Sequence, residues 1–374
     1  MELSPFFEIL KSIEDPRQDY KIKHKLSDII TIVIFAKLAN ADSWEEIELF
    51  ARCHENFLKE YIELPNGIPS HDTIQRVFSV IDPDVFQCLI SEWNHLLSTG
   101  KPEKLKQIIN IDGKTICGNG NKNQKALHVV SVWSKDGGVC LGQRAVADKE
   151  NEIIAIPELL DKISIKKQII TIDAMGTQVK IAEKIISKKA DYVLALKKNQ
   201  ANFHNDVMDY FDDDYKKKNR LDSKYYLRTA EKAHGKIEIR EYYQTDDIDW
   251  FFDKKRWTGL KSIGMVEKTI KDGDKTSVES RYYISSLPLD IGLFSTAIRE
   301  HWSIESMHWH LDVTFREDAG RTLDKTAALN LNIVHKLCLS ALKLFKAEEK
   351  HSLKRKRYMV SLRVLEYMPK ILGL

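Results

Sequence analysis

The sequence predicts a mixed α/β protein, a mixed sheet flanked by helices, with an N-terminal helical domain ahead of it and a β-rich insertion within it. Three observations carry this reading. Residues 5–98 place their apolar side chains at helical spacing. From 107 to 197, short apolar runs bounded by Gly and Asn give way to alternating helix and strand patterns. Residues 201–285 lose that alternation and become charged and aromatic, and helical spacing resumes near 291.

Within residues 1–100 the segment "IITIVIFAKLANA" is the most apolar stretch of the chain, with Lys37 as its one charged residue. It is about a dozen residues long, short of the roughly 20 that span a bilayer, and predicts a buried helix. Ser70 or Asp72 is placed to cap a helix through "TIQRVFSVI", and Asp82 with Pro83 to open the next. "PSHDTIQRVF" is a candidate second element of a helix-turn-helix, with His71, Thr73, Gln75 and Arg76 as readers of DNA, although most helix pairs serve packing alone. "STGKPEKLK" at 98–106 reads as a linker.

Three strands are expected next, "QIINID", "LHVVSVWS" and "VCLGQRAV", with "KDGG" as a turn between the second and third. The helix "NEIIAIPELLDKI", the strand "KQIITIDA", the helix "TQVKIAEKIISKKA" and the strand "DYVLALK" follow. "QIITI" and "YVLAL" are continuous apolar runs, as strands buried on both faces require. In the insertion, "KDGDKTS" reads as a hairpin turn. The segment 346–374 is expected to be helical and basic.

Composition narrows the function classes. With 58 basic and 55 acidic residues the net charge of +3 is too small to identify a nucleic-acid partner, so the placement of charge matters more than its sum. The five cysteines are scattered and form no C-x-x-C pair, which points to a reducing compartment and away from a cysteine zinc site. "MELSPFFEIL" lacks a basic start followed by an apolar run, so no secretion signal is read and a cytoplasmic location is expected. No membrane association is expected.

Two aspartates end predicted strands, Asp112 in "QIINIDGKT" and Asp173 in "QIITIDAMGTQ". Such residues lie at the carboxyl edge of a sheet, where open α/β sheets bind ligands, although a lone aspartate there serves equally well as a turn residue. A third carboxylate would suit a hard divalent cation such as Mg²⁺, which takes oxygen ligands. "HWSIESMHWHLDVTFREDAGR", 301–321, offers one: on a helix, Glu305 shares a face with His301, His308, Trp309 and Asp312. His308 and His310 are two apart and point to different faces, which argues against a zinc site built on His301, His308 and His310.

Nine blocks, from "LPNGIPSHDTIQRVFSVIDPDVF" through "IINIDGKTICG", "HVVSVWS", "IPELL", "ITIDAMGTQ", "DYVLALKKNQ", "HGKIEIREYY" and "YYISSL" to "REHWSIESMHWHLDVTFREDAGR", together resemble the DDE transposases of the ISAs type. That type includes the H-repeat-associated proteins and belongs to the wider IS-four group. The resemblance covers nearly the whole chain and implies an RNase H-like catalytic domain over 105–200 and 286–345, with the insertion at 201–285. It maps an acidic triad onto Asp112, Asp173 and Glu305, as catalytic residues and as ligands of Mg²⁺, with Mn²⁺ as a substitute. It also implies double-stranded DNA as partner, both transposon ends and target, and a homodimer on DNA in the bacterial nucleoid, with no nucleotide cofactor. The wider group carries an arginine four residues before its glutamate, a tyrosine three before that, and a lysine seven after it. Those positions hold His301, Ile298 and Asp312 here, with Arg299 adjacent.

Candidate phosphate contacts are His301 and Arg299, Lys197, Lys198, Asn199 and Gln200 after a predicted strand, and Lys114 in "DGKT", which has no Walker pattern around it. In the C-terminal segment Lys354, Arg355, Lys356 and Arg357 form a basic helix. Solvated strand ends and surface helices are the plainer alternatives. Two other functions fit the same residues: a stand-alone RNase H-like nuclease, and a catalytically silent DNA-binding protein derived from a transposase.

Overall fold

The computed structural model describes residues 5–98, 107–146, 151–233, 235–347 and 349–374. The linker expected at 98–106 lies, beyond its first residue, outside them. The chain forms two compact units, one from Met1–Pro102, Gly113–Lys149 and Ser306–Leu374, the other from Glu103–Asp112 and Glu150–Glu305.

The first unit opens with six helices, α1 (Pro5–Lys11), α2 (Leu26–Leu38), α3 (Trp44–Cys53), α4 (Glu55–Leu58), α5 (His71–Val80) and α6 (Pro83–Ser98). Ser70 caps α5 by accepting from the Thr73 amide at 3.4 Å, and Asp82 accepts from the Asp84 amide at 2.9 Å where α6 begins. Strand β1 (Ile108–Ile116) starts in the second unit and ends in the first, where β2 (Leu127–Ser134) and β3 (Val139–Val146) pair antiparallel across the turn with Gly138 at φ +66°. The second unit then holds α7 (Glu152–Lys162), β4 (Ile169–Ile172), α8 (Val179–Ser187), β5 (Asp191–Leu196), α9 (Ala201–Tyr210), α10 (Asp213–Asn219), β6 (Tyr226–Ala233), β7 (Lys236–Thr245), β8 (Ser262–Asp272) and β9 (Lys275–Ser285). Helix α11 (Ile291–Trp309) crosses from the second unit into the first, which closes with α12 (Lys325–Leu344), α13 (Leu353–Leu362) and α14 (Val364–Leu372).

Residues 1–100 do not stand as a unit by themselves. The reason is α12, a helix buried along nearly its whole length, which packs against α2, α5 and α6. Its Asn330 amide donates to the carbonyls of Phe78 and Ile81, both at 2.9 Å, tying it to the chain between α5 and α6. Helix α2 is buried on every side, as its apolar sequence requires; Lys37 within it donates to the Asp42 carbonyl at 2.8 Å.

In the second unit β1, β4 and β5 run parallel, β9 joins β5 antiparallel, and β8, β7 and β6 follow antiparallel in turn. This is the mixed sheet expected of an RNase H-like fold. The 201–285 segment therefore opens with two helices and continues the sheet instead of forming a separate layer, because Val193–Leu196 pair with Tyr282–Ser285. Its hairpin turn falls where the sequence places it, between Asp272 and Lys275, with Gly273 at φ +57°. The core of this unit is formed by Ile108, Ile169, Val193, Tyr242, Val266 and Tyr283 from six strands, covered by Phe294, Ala297 and Ile298 of α11. Gly264 of β8 makes close contact possible: a Cβ there would lie 2.2 Å from the Phe294 ring.

Candidate active site

Alternation along the strands brings the two aspartates together. The last paired residues of β1 and β4 are Ile111 and Ile172, so Asp112 and Asp173 are the next residues on two neighbouring parallel strands. Adjacent strands lie about 4.8 Å apart. Two residues before each aspartate, and hence on the same face, stand Asn110 and Thr171; two before those stand Ile108 and Ile169 of the core.

The same ladder is matched on α11. Ile298 packs in the layer of Ile108 and Ile169. In the next layer Asn110 donates to the Glu300 carbonyl at 3.1 Å and to Ser303 Oγ at 3.0 Å, and Thr171 Oγ1 lies 2.6 Å from Asn110 Oδ1 and 2.8 Å from His301 Nδ1. The Glu300 carbonyl can only accept, which fixes the Asn110 amide and makes Thr171 donate to Asn110 Oδ1. His301 Nδ1 then carries the proton and donates to Thr171, leaving Nε2 as an acceptor. Burial, aided by Arg281, lowers the His301 pKa to about 4, so the ring is neutral at pH 7. Glu305 follows His301 by one helical turn, as Asp112 and Asp173 follow Asn110 and Thr171 by one strand repeat.

The three carboxylates differ in surroundings. Asp173 Oδ1 accepts from the amides of Met175 and Gly176 at 3.0 and 3.4 Å. Gly176 is required there, since a Cβ would lie 2.3 Å from the Ile172 side chain. Glu305 reaches the surface, yet desolvation raises its pKa above the ordinary carboxylate value, against the pull of Arg281, Lys268 and Lys197. Hard oxygen donors suit a divalent cation such as Mg²⁺. Among the described residues no group of three His, Cys, Asp or Glu side chains is gathered closely enough to hold a metal ion as the chain stands. The residues fit such an ion by donor chemistry and by level in the fold.

The cations near Glu305 come from strands whose role the sequence left unread. The Arg281 guanidinium lies 4.7 Å and the Lys268 ammonium 5.4 Å from the centre of the Trp302 ring. Arg240, Lys268 and Arg281 each sit two residues from a core residue of their strand, Tyr242, Val266 and Tyr283, and therefore on the face that α11 covers. That parity is present in "REYY" and "RYYISS", but only strand register shows which face it selects.

The other expected contacts are distributed variously. Lys197, Lys198 and Asn199 are exposed past β5. The Asn199 amide donates to the Ala174 carbonyl at 2.6 Å and that of Gln200 to Thr177 at 3.1 Å, so both brace the loop behind Asp173. Arg299 pairs with Glu231 at 2.9 Å. In the first unit Lys114 is half-buried and paired with Asp312 at 2.7 Å, Asp318 at 3.2 Å and Glu317 at 3.5 Å. Asp312, which replaces the lysine of the wider group, is thus itself paired with a lysine from β1. Helix α11 ends at Trp309, and a π-helical turn over His310–Thr314 carries Asp312. His308 is buried, His310 Nδ1 lies 3.1 Å from Thr314 Oγ1, and Trp309 is exposed.

On α5, Arg76 is exposed while His71 is held by Glu48 at 2.7 Å. Lys354 and Arg355 are exposed on α13. Lys356 donates to the carbonyls of Leu342 and Phe345. Arg357 departs from the expected basic surface: it is 1% exposed and donates to the carbonyls of Lys37, Thr314 and Ala41 and to Asp42.

No helix among the described residues is long and apolar enough to cross a membrane. The chain is 41% identical over 97% of its length to "Putative transposase YncI" of Escherichia coli O157:H7, covering 93% of that protein. It is 38% identical over 93% of its length to "H repeat-associated putative transposase YhhI" of Escherichia coli K12, again covering 93%. A cryo-EM structure of a piggyBac transposase synaptic complex with hairpin DNA aligns at a TM-score of 0.49 and 12% identity, over 99% of this chain and 80% of that one. The DDE_Tnp_1-associated model matches residues 7–94 and the transposase DDE domain model residues 103–340. With that match over more than half its length, and relatives of this kind along most of the rest, the chain belongs to the DDE-domain transposase family.

Proposed function

We propose that the protein is the transposase of an insertion sequence, catalysing Mg²⁺-dependent DNA cleavage and strand transfer with Asp112, Asp173 and Glu305. One observation supports the reading: the Asn110–Thr171–His301 hydrogen-bonded layer, beyond which Asp112 and Asp173 are the next residues of the same facing on their strands and Glu305 lies one turn further along its helix. The carboxylates would hold the divalent ion, which when bound supplies charge to a phosphodiester oxygen and to the attacking oxygen. The chain's own residues do the rest. The two strands fix Asp112 and Asp173, the relay fixes the turn of α11 before Glu305, and Asn199 and Gln200 brace the loop after Asp173. Water attacks phosphorus at the transposon end, forming a P–O bond and releasing a 3′-hydroxyl. That hydroxyl then attacks a phosphodiester of target DNA, displacing a 3′-oxygen. Exposed Lys197 and Lys198 contact phosphate; Arg76, Lys354 and Arg355 add positive charge for the flanking duplex. The enzyme acts as a homodimer on paired ends, in the cytoplasm and on the nucleoid of a bacterium.

The test uses a duplex carrying the inverted repeats that flank the gene, with Mg²⁺ or Mn²⁺. Wild type is expected to cleave and join it, and Asp112→Ala and Glu305→Ala each to lower the rate at least 10²-fold. Unchanged Mg²⁺-dependent cleavage in either variant refutes the triad. Cleavage without joining makes the protein a stand-alone nuclease, and DNA binding without cleavage makes it a silent derivative.

A further inference from the structure

We infer that Arg281 and Lys268, set on Trp302 beside Glu305 and continued by Lys197 and Arg240, form a binding site for the phosphodiester backbone of DNA. The register lays them out as a track. Ala195 pairs with Tyr283, so Lys197 and Arg281 stand opposite each other one strand repeat further on; Arg281 faces Val266, and Lys268, the next residue on that face of β8, pairs with Arg240. The aspartates end β1 and β4, and the cations continue the same face across β5, β9, β8 and β7.

The cations are held in place before any ligand arrives. Trp302 supports Arg281 and Lys268 from the helix side. Carboxylates hold them as well: Glu279 accepts from Arg281 Nε–H at 2.8 Å, Glu238 pairs with Arg240 and lies 3.6 Å from Lys268, and Glu231 pairs with Arg299 and lies 3.8 Å from Arg240. Despite these carboxylates, burial and the neighbouring Arg240, Arg281 and Arg299 lower the Lys268 pKa. An anion lying on the track would relieve that crowding. A guanidinium carries five N–H donors in one plane, and its stacking on indole reduces the entropy lost on binding a phosphate. A strand that follows this face lies across the acids and on past them, and contacts of this kind position a backbone at a cleavage site without its sequence being read.

The inference rests on the DNA reading of this site, and its test is separable from cleavage. Affinity for a labelled random-sequence duplex is measured in EDTA by anisotropy between about 50 and 200 mM salt. Each phosphate contact contributes about 0.9 to the slope of log K against log salt, so Arg281→Ala with Lys268→Ala is expected to reduce the slope by about 1.8. Arg281→Lys with Lys268→Arg retains it. Glu279→Gln, which breaks the same ion pair from the other side, leaves the slope unchanged or steeper; if it reduces the slope as the alanine pair does, the role is structural and the proposal falls. It also falls if the alanine pair binds with the wild-type slope. Where the alanine pair loses its folding transition, Arg281→Gln alone decides, with an expected reduction of about 0.9. A reduced slope in a protein that never cleaves keeps the backbone site and removes strand transfer; cleavage with an unchanged slope does the reverse.

Discussion

At the scale of single residues the three acids rest on a layer of side chains that hydrogen-bond to one another. Thr171 is the clearest: one hydroxyl donates to Asn110 and accepts from His301, joining two strands to α11. Thr171→Val keeps the shape but leaves a buried acceptor and a ring N–H unpaired. The expected loss is about 1–3 kcal/mol in urea unfolding, with Thr171→Ser near wild type. A Val variant as stable as Ser would show that water or a neighbour satisfies both groups. Cleavage is expected to fall with Val by more than stability explains, since the displaced turn carries Glu305 one repeat further along. Asp112 and Asp173 were legible in the sequence because an apolar run followed by an acid and small residues marks a strand end. His301 was legible as a position but not as a role, because its neutrality follows from burial and from Thr171, which lies 130 residues away.

At the scale of elements, pattern was legible wherever one face decides it. Buried α2, the caps of α5 and α6, and the parallel strands β4 and β5 all follow from local chemistry. What pattern could not supply was the partner of each strand. The 201–285 segment looks like an insertion because its strands alternate charge with aromatics, yet β9 completes the sheet beside β5. The "KRKR" run misleads for a related reason: four successive helical positions cover about a full turn, so one must face inward, and on α13 that one is Arg357. Helix α11 shows how the sheet holds an element through a missing side chain. Gly264→Ala would drive a methyl into the Phe294 ring and to within 2.8 Å of the Tyr243 carbonyl. It is expected to cost about 1–3 kcal/mol as overpacking, read as a lowered urea midpoint, and Phe294→Leu in the same chain is expected to restore part of the loss. No change in the Ala variant would place α11 further from β8 than described.

At the scale of the whole molecule, stability should follow the buried histidines as pH falls. In the first unit burial lowers His308 to about 3, with Lys336 and Lys114 adding to the effect and Glu317 opposing it. Burial likewise lowers His335 to about 4, although Glu317 accepts from its ring at 2.9 Å. The unfolded chain titrates near the ordinary value of about 6.5. Below that pH the unfolded state binds protons that these folded rings refuse, so each ring contributes stability that is complete above about pH 6.5 and is lost as pH falls toward its folded value. At pH 5 the loss is about 2 kcal/mol per ring. Asp28, Asp312 and Glu305 act in the opposite sense, since burial raises their folded values. Urea midpoints are therefore expected to be near level from pH 7 to about 6.5 and to fall steadily to pH 5. His308→Gln and His335→Gln, each weaker than wild type at pH 7, should show a shallower fall over that interval. A wild-type midpoint that stays level to pH 5 would mean that the rings accept protons within the fold, and that the carboxylates around them, Glu317 above all, hold a positive charge there at little cost.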